Sequence, residues 1–267
     1  MPKPGPPSLG LFLLEGQRAF LEWLTLPPAR RLLRRAPRGE GQPVLILPGF
    51  MANDSSTTVL RKFLKDQGFA AHPWLQGRNL GPQDGLREAM AERIEDLHER
   101  YGQKVSIVGW SLGGVYAREL AKDAPDRVRQ VISLGSPFGD IARPSNASRM
   151  FDFVSNRSRN TESDRKASRP AFAEKIRASP PRNVPSTSIF TKTDGIVHWR
   201  SCLEPESDHT ENIEVPGSHC GLGHNPLVLY AVAERLSQLE GKWRPFDYRG
   251  WHHLLYRQQT VRSTEFG

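Results

Sequence analysis

The sequence predicts an α/β protein: a doubly wound, largely parallel sheet of about six strands with one long insertion. Three observations carry this expectation. Short apolar runs suited to buried strands recur near residues 44–47, 69–74, 105–108, 131–134, 187–191 and 212–215. Helical patterns stand between most of them, joined by short links, the signature of parallel strands with crossover helices. A chain of 267 residues suits one large domain of this kind and is short for two. The chain therefore divides into an arm and amphipathic helix (1–40), a main domain (41–240) with an insertion at 141–185, and an aromatic tail (241–267).

Taken in order, residues 1–8 are proline-rich and suit a loose arm. Residues 9–26 set Phe12, Leu13, Phe20, Trp23 and Leu24 on one helical face until Pro27-Pro28 interrupts, and residues 29–35 fit a further turn or two. This helix either packs on the domain or lies at a membrane surface. The first core strand, 44–47, runs into Pro48-Gly49-Phe50-Met51. Asn53, Asp54, Ser55 and Ser56 offer caps for a helix reaching about Gln67. Pro73 places the second strand toward an edge, because proline cannot donate to a ladder. A Gly/Pro/Asn-rich loop at 77–82 leads to a helix over 83–101 and then to the 105–108 strand. After a strand over 128–134, residues 141–185 lose all periodicity and run far beyond an ordinary connection. Met150, Phe151, Phe153, Val154 and Phe172 are isolated apolar groups there, and short helices near 147–156 and 170–178 fit. Two more strands, a closing helix over 225–239 and a tail without a fold signal of its own complete the chain.

The net charge is +8, and its position is more informative than its size. Residues 1–40 carry +4 and residues 141–185 carry +6, which leaves −2 for everything else. The presumed core is nearly neutral. No basic stripe interleaved with aromatics occurs, so a nucleic-acid partner is not expected. The two basic segments suit contact with an anionic lipid surface or a solvated exterior. Two cysteines are too few for a disulfide framework. No run approaches the ~18–20 apolar residues of a membrane span. Glu15 cuts short the only leader-like stretch and no small-residue cleavage site follows, so a cytoplasmic location, peripheral at a membrane at most, is expected.

Chemistry enters at Gly109-Trp110-Ser111-Leu112-Gly113, a G-x-S-x-G sequence between a strand and a helix on which Val115, Leu120 and Ala124 recur. In that setting the glycines give clearance and the Ser111 hydroxyl stands at a helix N-terminus, where negative charge is favoured. A plain turn whose serine caps the helix is the competing reading. A nucleophilic serine also needs a base and a carboxylate to orient it. Asp194 and His219 are each the first residue of their type beyond a strand end, and the order Ser111, Asp194, His219 is the one this architecture uses. His198, His209 and His224 compete for the base, Asp140 and Asp208 for the acid. The oxyanion requires backbone donors. Leu112 N–H is one, and the loop after the first strand supplies the other, Phe50 or Met51, with Phe50 preferred.

Leu-Pro-Gly-Phe at 47–50, Gly-Trp-Ser-Leu-Gly-Gly at 109–114, Thr-Asp-Gly-Ile-Val at 193–197 and Gly-Ser-His-Cys at 217–220 together resemble the α/β-hydrolase superfamily, and within it bacterial serine lipases and esterases. The resemblance covers roughly residues 43–239. It implies a carboxylesterase or lipase acting on a small ester or lipid through a Ser-His-Asp triad and an acyl-enzyme, with no metal or organic cofactor, and a cap or lid at 141–185. An acyltransferase using the same acyl-enzyme, or a non-catalytic binding protein on the same fold, would share these residues. Two departures stand out. The usual His-Gly before the oxyanion donor is Pro48-Gly49, and the segment between Asp194 and the last strand is too short and polar for a full crossover helix. Cys202 lies eight residues beyond Asp194 and Cys220 directly after His219; a disulfide between them is expected to tie the acid loop to the base loop, with two buried thiols in a reducing cytosol as the competing reading. Trp110 is expected to pack near the oxyanion loop or in the core.

Overall fold

The computed structural model describes residues 7–138 and 180–260. Most of the insertion at 141–185, with both helices expected in it and the rival acid Asp140, lies outside the described residues. Three helices open the chain: α1 (Leu9–Leu13), α2 (Glu15–Leu24) and α3 (Leu26–Leu33). The sheet and its helices follow as β1 (Pro43–Leu47), α4 (Thr58–Asp66), β2 (Ala70–Pro73), α5 (Leu86–Tyr101), β3 (Val105–Trp110), α6 (Leu112–Asp123), β4 (Val128–Leu134), β5 (Ser186–Phe190), β6 (Thr210–Glu214) and α7 (Pro226–Ser237). A single turn, α8 (His252–Leu255), and a two-residue strand, β7 (Arg257–Gln258), end the described chain.

The sheet has seven strands in the order β2-β1-β3-β4-β5-β6-β7. The first six run parallel, and β7 is antiparallel to β6 through Ile213↔Gln258 and Glu214↔Arg257. The expected count of six is thus one short, because the tail supplies an edge strand too brief to show any alternation. Residues of β1 alternate between the two faces. Val44 and Ile46 join α4, α7 and Leu33 of α3 in one core, whereas Leu45 and Leu47 join α5 and α6 in the other. Burial on both faces explains why these strands read as continuous apolar runs. Pro73 sits on the short edge strand β2, as its missing N–H requires.

Two local expectations change. The polar run Asn53 to Ser56 does not cap α4: the helix begins at Thr58 without a side-chain cap. Asp54 instead accepts N–H bonds from Trp74 (3.0 Å) and Leu75 (3.2 Å), fastening the end of β2. The tail also has structure. Phe246 and Tyr256 are buried in the core that α7 faces, and the Tyr256 hydroxyl donates to the Leu227 carbonyl at 2.9 Å. Among the described residues no helix is long and apolar enough to cross a membrane.

Candidate active site

Ser111 follows β3 directly and takes φ +53°, ψ −120°, a conformation a non-glycine residue holds only where its surroundings enforce it. Three glycines make this possible. A Cβ at Gly109 would lie 2.3 Å from the Gly113 oxygen, one at Gly113 2.4 Å from the Leu47 oxygen, and one at Gly49 3.2 Å from the Ser111 Cβ. The elbow, the start of α6 and the loop after β1 are therefore packed against one another with no room for a methyl group. Ser111 N–H donates to the Leu134 carbonyl at 2.8 Å, which locks the turn to the end of β4.

Asp194 and His219 come from the loops beyond β5 and β6. The structure joins them: His219 Nδ1 lies 2.6 Å from Asp194 Oδ2, and both side chains are buried. Asp194 Oδ1 accepts from the amides of Ile196 (2.8 Å) and Val197 (2.7 Å), so the carboxylate is held on both oxygens. Burial alone would favour the neutral ring of His219, but the charge and hydrogen bond of Asp194, with the charge of Glu15, outweigh it and raise the His219 pKa.

Ser111 Oγ makes no hydrogen bond to His219 in this structure. The elbow and the base loop are joined one residue earlier, where Trp110 Nε1 donates to the His219 carbonyl at 3.1 Å and the indole packs on Gly223. Trp110 thus packs against the core, as one of its two expected placements had it, and braces the loop that carries His219. Gly135 completes the approach: a Cβ there would lie 3.1 Å from His219 Nδ1 and 3.4 Å from Asp194 Oδ2. The rivals serve other purposes. His224 Nε2 bonds the Ala19 carbonyl at 2.8 Å, His198 accepts from Arg200 N–H, and Asp208 and His209 are exposed.

In the loop after β1, where an oxyanion donor is expected, Asn79 donates from Nδ2 to the Pro48 carbonyl at 2.9 Å, and Met51 N–H donates to the Asn79 carbonyl at 2.7 Å. Met51 N–H is therefore committed to the Asn79 carbonyl. Leu112 opens α6, so its N–H has no intrahelical acceptor.

The disulfide expectation is corrected: Cys202 and Cys220 are both free thiols. Burial pushes both up, Cys220 to about 12 with help from the Glu15 charge. The tie they were expected to make is supplied by α2. Glu15 accepts from the amides of Gly195 (2.7 Å), His219 (3.2 Å) and Cys220 (2.9 Å). Arg18 donates to the carbonyls of Thr193 (2.7 Å) and Gly217 (2.5 Å), and Glu22 accepts from Ser218 N–H (2.7 Å) and Asn225 Nδ2 (2.9 Å). None of these three stands out from sequence as a site residue; Glu15 draws notice there only as the end of a leader-like stretch. Their spacing of three and four residues was a legible polar stripe, but one normally assigned to solvent.

Among the described residues no group of three or more His, Cys, Asp or Glu could hold a metal ion. A cavity lined by Lys104, Arg129, Asn183, Asp208, His209 and Trp243 opens at the amino ends of β4 to β6, the opposite end of those strands from Asp194 and His219.

This sheet order, elbow and buried acid–base pair define a hydrolase architecture, and the chain belongs to the α/β-hydrolase superfamily: residues 42–173 match the family described as alpha/beta hydrolase fold. Its relatives include the pimeloyl-[acyl-carrier protein] methyl ester esterase of Legionella pneumophila, 26% identical over 125 residues. That match takes in 45% of this chain and 51% of the esterase, so the chain spans about half the length of this curated relative. A putative 2-succinyl-6-hydroxy-2,4-cyclohexadiene-1-carboxylate synthase of Bacillus subtilis is 30% identical over 96 residues, 34% of this chain and 35% of that one. Among solved structures, a pyrethroid hydrolase from Sphingobium faniae has a TM-score of 0.53 at 15% identity, over 73% of this chain and 97% of that one. Aspergillus fumigatus lipase B has a TM-score of 0.52 at 20% identity, over 77% and 57%. At these identities the structural likeness is one of fold.

Proposed function

We propose that this protein is a serine hydrolase of carboxylic esters. The observation that carries the reading is the buried Asp194–His219 pair beside a serine held at φ +53° on a glycine-cleared elbow. With Nδ1 occupied by Asp194, the free imidazole nitrogen, Nε2, is the one that takes the Ser111 proton as Oγ attacks the ester carbonyl. The Leu112 and Phe50 amides hold the oxyanion, and His219 then protonates the departing alcohol. Water, deprotonated by the same imidazole, attacks the acyl-enzyme and returns Ser111. A relative named a methyl ester esterase supports an ester as the substrate class.

Ser111→Ala should lower turnover of p-nitrophenyl esters by several orders of magnitude, about 10⁶ if the triad acts as a unit. A fluorophosphonate should label wild type at Ser111 and leave the variant unlabelled. Near-wild-type turnover by the variant would end the assignment.

A specific surface favours a lipid ester. Leu9, Leu13, Phe20, Leu21, Trp23 and Leu24 are exposed on α1 and α2, and exposed arginines at 30, 31, 34, 35 and 38 follow directly in the chain. An apolar face beside basic charge is complementary to an anionic lipid surface. Phe20→Ser with Trp23→Ser should abolish sedimentation with phosphatidylglycerol vesicles while soluble-ester turnover persists. Equal binding by wild type to neutral and anionic vesicles, or to neither, would reject that surface as the partner.

A further inference from the structure

We propose that Glu15 is a positioning residue: its carboxylate, carried on α2, holds the acid loop and the base loop together in the arrangement that joins Asp194 to His219. The inference rests on the reading of that pair as acid and base. Its basis is the choice of contacts. Glu15 Oε1 accepts from Gly195, the residue after the acid, and from the amide of the base itself. Oε2 accepts from Cys220, the residue after the base. One carboxylate thus reaches both loops, and it is only 4% exposed.

A buried carboxylate is costly unless it is hydrogen-bonded and paired. Three amide donors and Arg18, 3.7 Å away, meet that requirement. The loops are shaped to receive the helix. A Cβ at Gly195 would lie 2.5 Å from the backbone of Leu11, and one at Gly221 2.1 Å from Glu22 Oε2. Arg18 adds carbonyl contacts on the other side of each functional residue, at Thr193 before the acid and Gly217 before the base. The loops have no disulfide, and a short 3₁₀ turn at Trp199–Cys202 replaces a crossover helix. Arg18 also reaches both loops, through their carbonyls, but Glu15 is the side chain that bonds the amide of His219 itself and those of the residues after the acid and the base.

The geometry makes the carboxylate specific. Glutamine offers one acceptor oxygen, and its amide nitrogen would face an N–H it cannot accept from. The charge has its own consequence, because Glu15 lies close enough to His219 to favour the imidazolium. The titratable and charged groups facing His219 are Asp194 from the acid loop, Glu15 from α2 and the Cys220 thiol beside it. Arg18 and Glu22 sit further along α2 against the same loops.

The test uses full-length Glu15→Gln, with Arg18→Ala as a second variant that loosens the same helix. Each is followed by NMR of the His219 ring through a pH titration and by steady-state turnover of p-nitrophenyl butyrate. Glu15→Gln is expected to lower the His219 midpoint and to broaden or abolish its downfield Nδ1–H resonance. It should also cut kcat on the order of 10- to 100-fold with little change in KM. Glu15→Asp, which keeps the charge, should restore part of the midpoint shift. A folded Glu15→Gln protein with the wild-type midpoint and Nδ1–H resonance overturns the proposal. If Glu15→Gln does not fold, Arg18→Ala decides, and an unchanged resonance there counts against it. The NMR arm needs no substrate, so a chain that hydrolyses no ester defeats the functional reading while the clamp is still judged.

Discussion

At the scale of single residues, His219 gives the sharpest prediction. Folding raises its pKa above the ordinary 6.5, through Asp194 and Glu15 acting against burial. Two consequences have opposite signs. The protonated pair adds stability that is fully present below about pH 6.5 and is lost as pH rises through the folded pKa. The proposed mechanism requires the neutral ring, so kcat/KM should climb through a midpoint above 6.5. A pH profile of ester turnover with an acid limb centred below 6.5 would contradict this. The glycines supply a second prediction at this scale. Gly109→Ala puts a methyl group 2.3 Å from the Gly113 carbonyl, a contact only the backbone can relieve. It should lower stability by roughly 1–3 kcal/mol or more and slow fluorophosphonate labelling of Ser111, measured by urea melts and by mass spectrometry. Ser111, Asp194 and His219 were legible as candidates because Ser111 directly follows a strand and the other two are the first residues of their type beyond strand ends. Glu15 was not, since its partners are backbone amides distant in sequence, and backbone leaves no mark on composition.

At the scale of elements, β1 and β3 were readable because burial on both faces makes them largely apolar, whereas α2 was readable as a helix but not in its orientation. An apolar stripe is ordinarily turned inward. Here Glu15, Arg18 and Glu22 turn inward because they meet the exposed amides and carbonyls of two loops, and Phe20 and Trp23 are left outside, stacked 6.2 Å apart. Charge inside the fold also joins α6 to the segment following the acid loop. Arg118, one turn and a half beyond the elbow, pairs with Glu204, and both are essentially inaccessible. Ser186 donates to the same carboxylate at 2.5 Å, Phe138 lies under the guanidinium at 3.7 Å, and burial draws the Arg118 pKa down to about 9. Removing Arg118 leaves the buried Glu204 carboxylate without its cation. Arg118→Met should therefore cost about 3–5 kcal/mol in urea unfolding, and adding Glu204→Leu should recover most of it. Equal destabilisation by the single and double changes would show that packing, not unpaired charge, sets the loss.

At the scale of the whole molecule, the tail closes the sheet. Nothing in its sequence announces this: β7 is two residues long, and its aromatic neighbours have neither strand nor helix periodicity. Its role depends on β6, which would otherwise be an edge, and on a polar network already assembled behind it. Arg235 of α7 donates to Glu211 of β6 (2.8 Å) and to the Arg244 carbonyl (2.7 Å), while the other oxygen of Glu211 accepts from Phe246 N–H (2.7 Å). Phe246 and Tyr256 then cover that network, with ring centroids 4.9 Å apart. A chain ending at Arg244 would lose the burial of both rings, about 1.5–3 kcal/mol each. It would also wet the Arg235–Glu211 pair and uncover β6. For a domain of this size that predicts a Tm lowered on the order of 6–24 °C. The bared edge should pair with other copies, so light scattering on heating should grow with protein concentration, as it does for unprotected strands. Calorimetry and scattering of the truncated chain beside the full one decide the matter. An unchanged Tm would mean that the seventh strand and its aromatic cover add no stability to the sheet that carries the site.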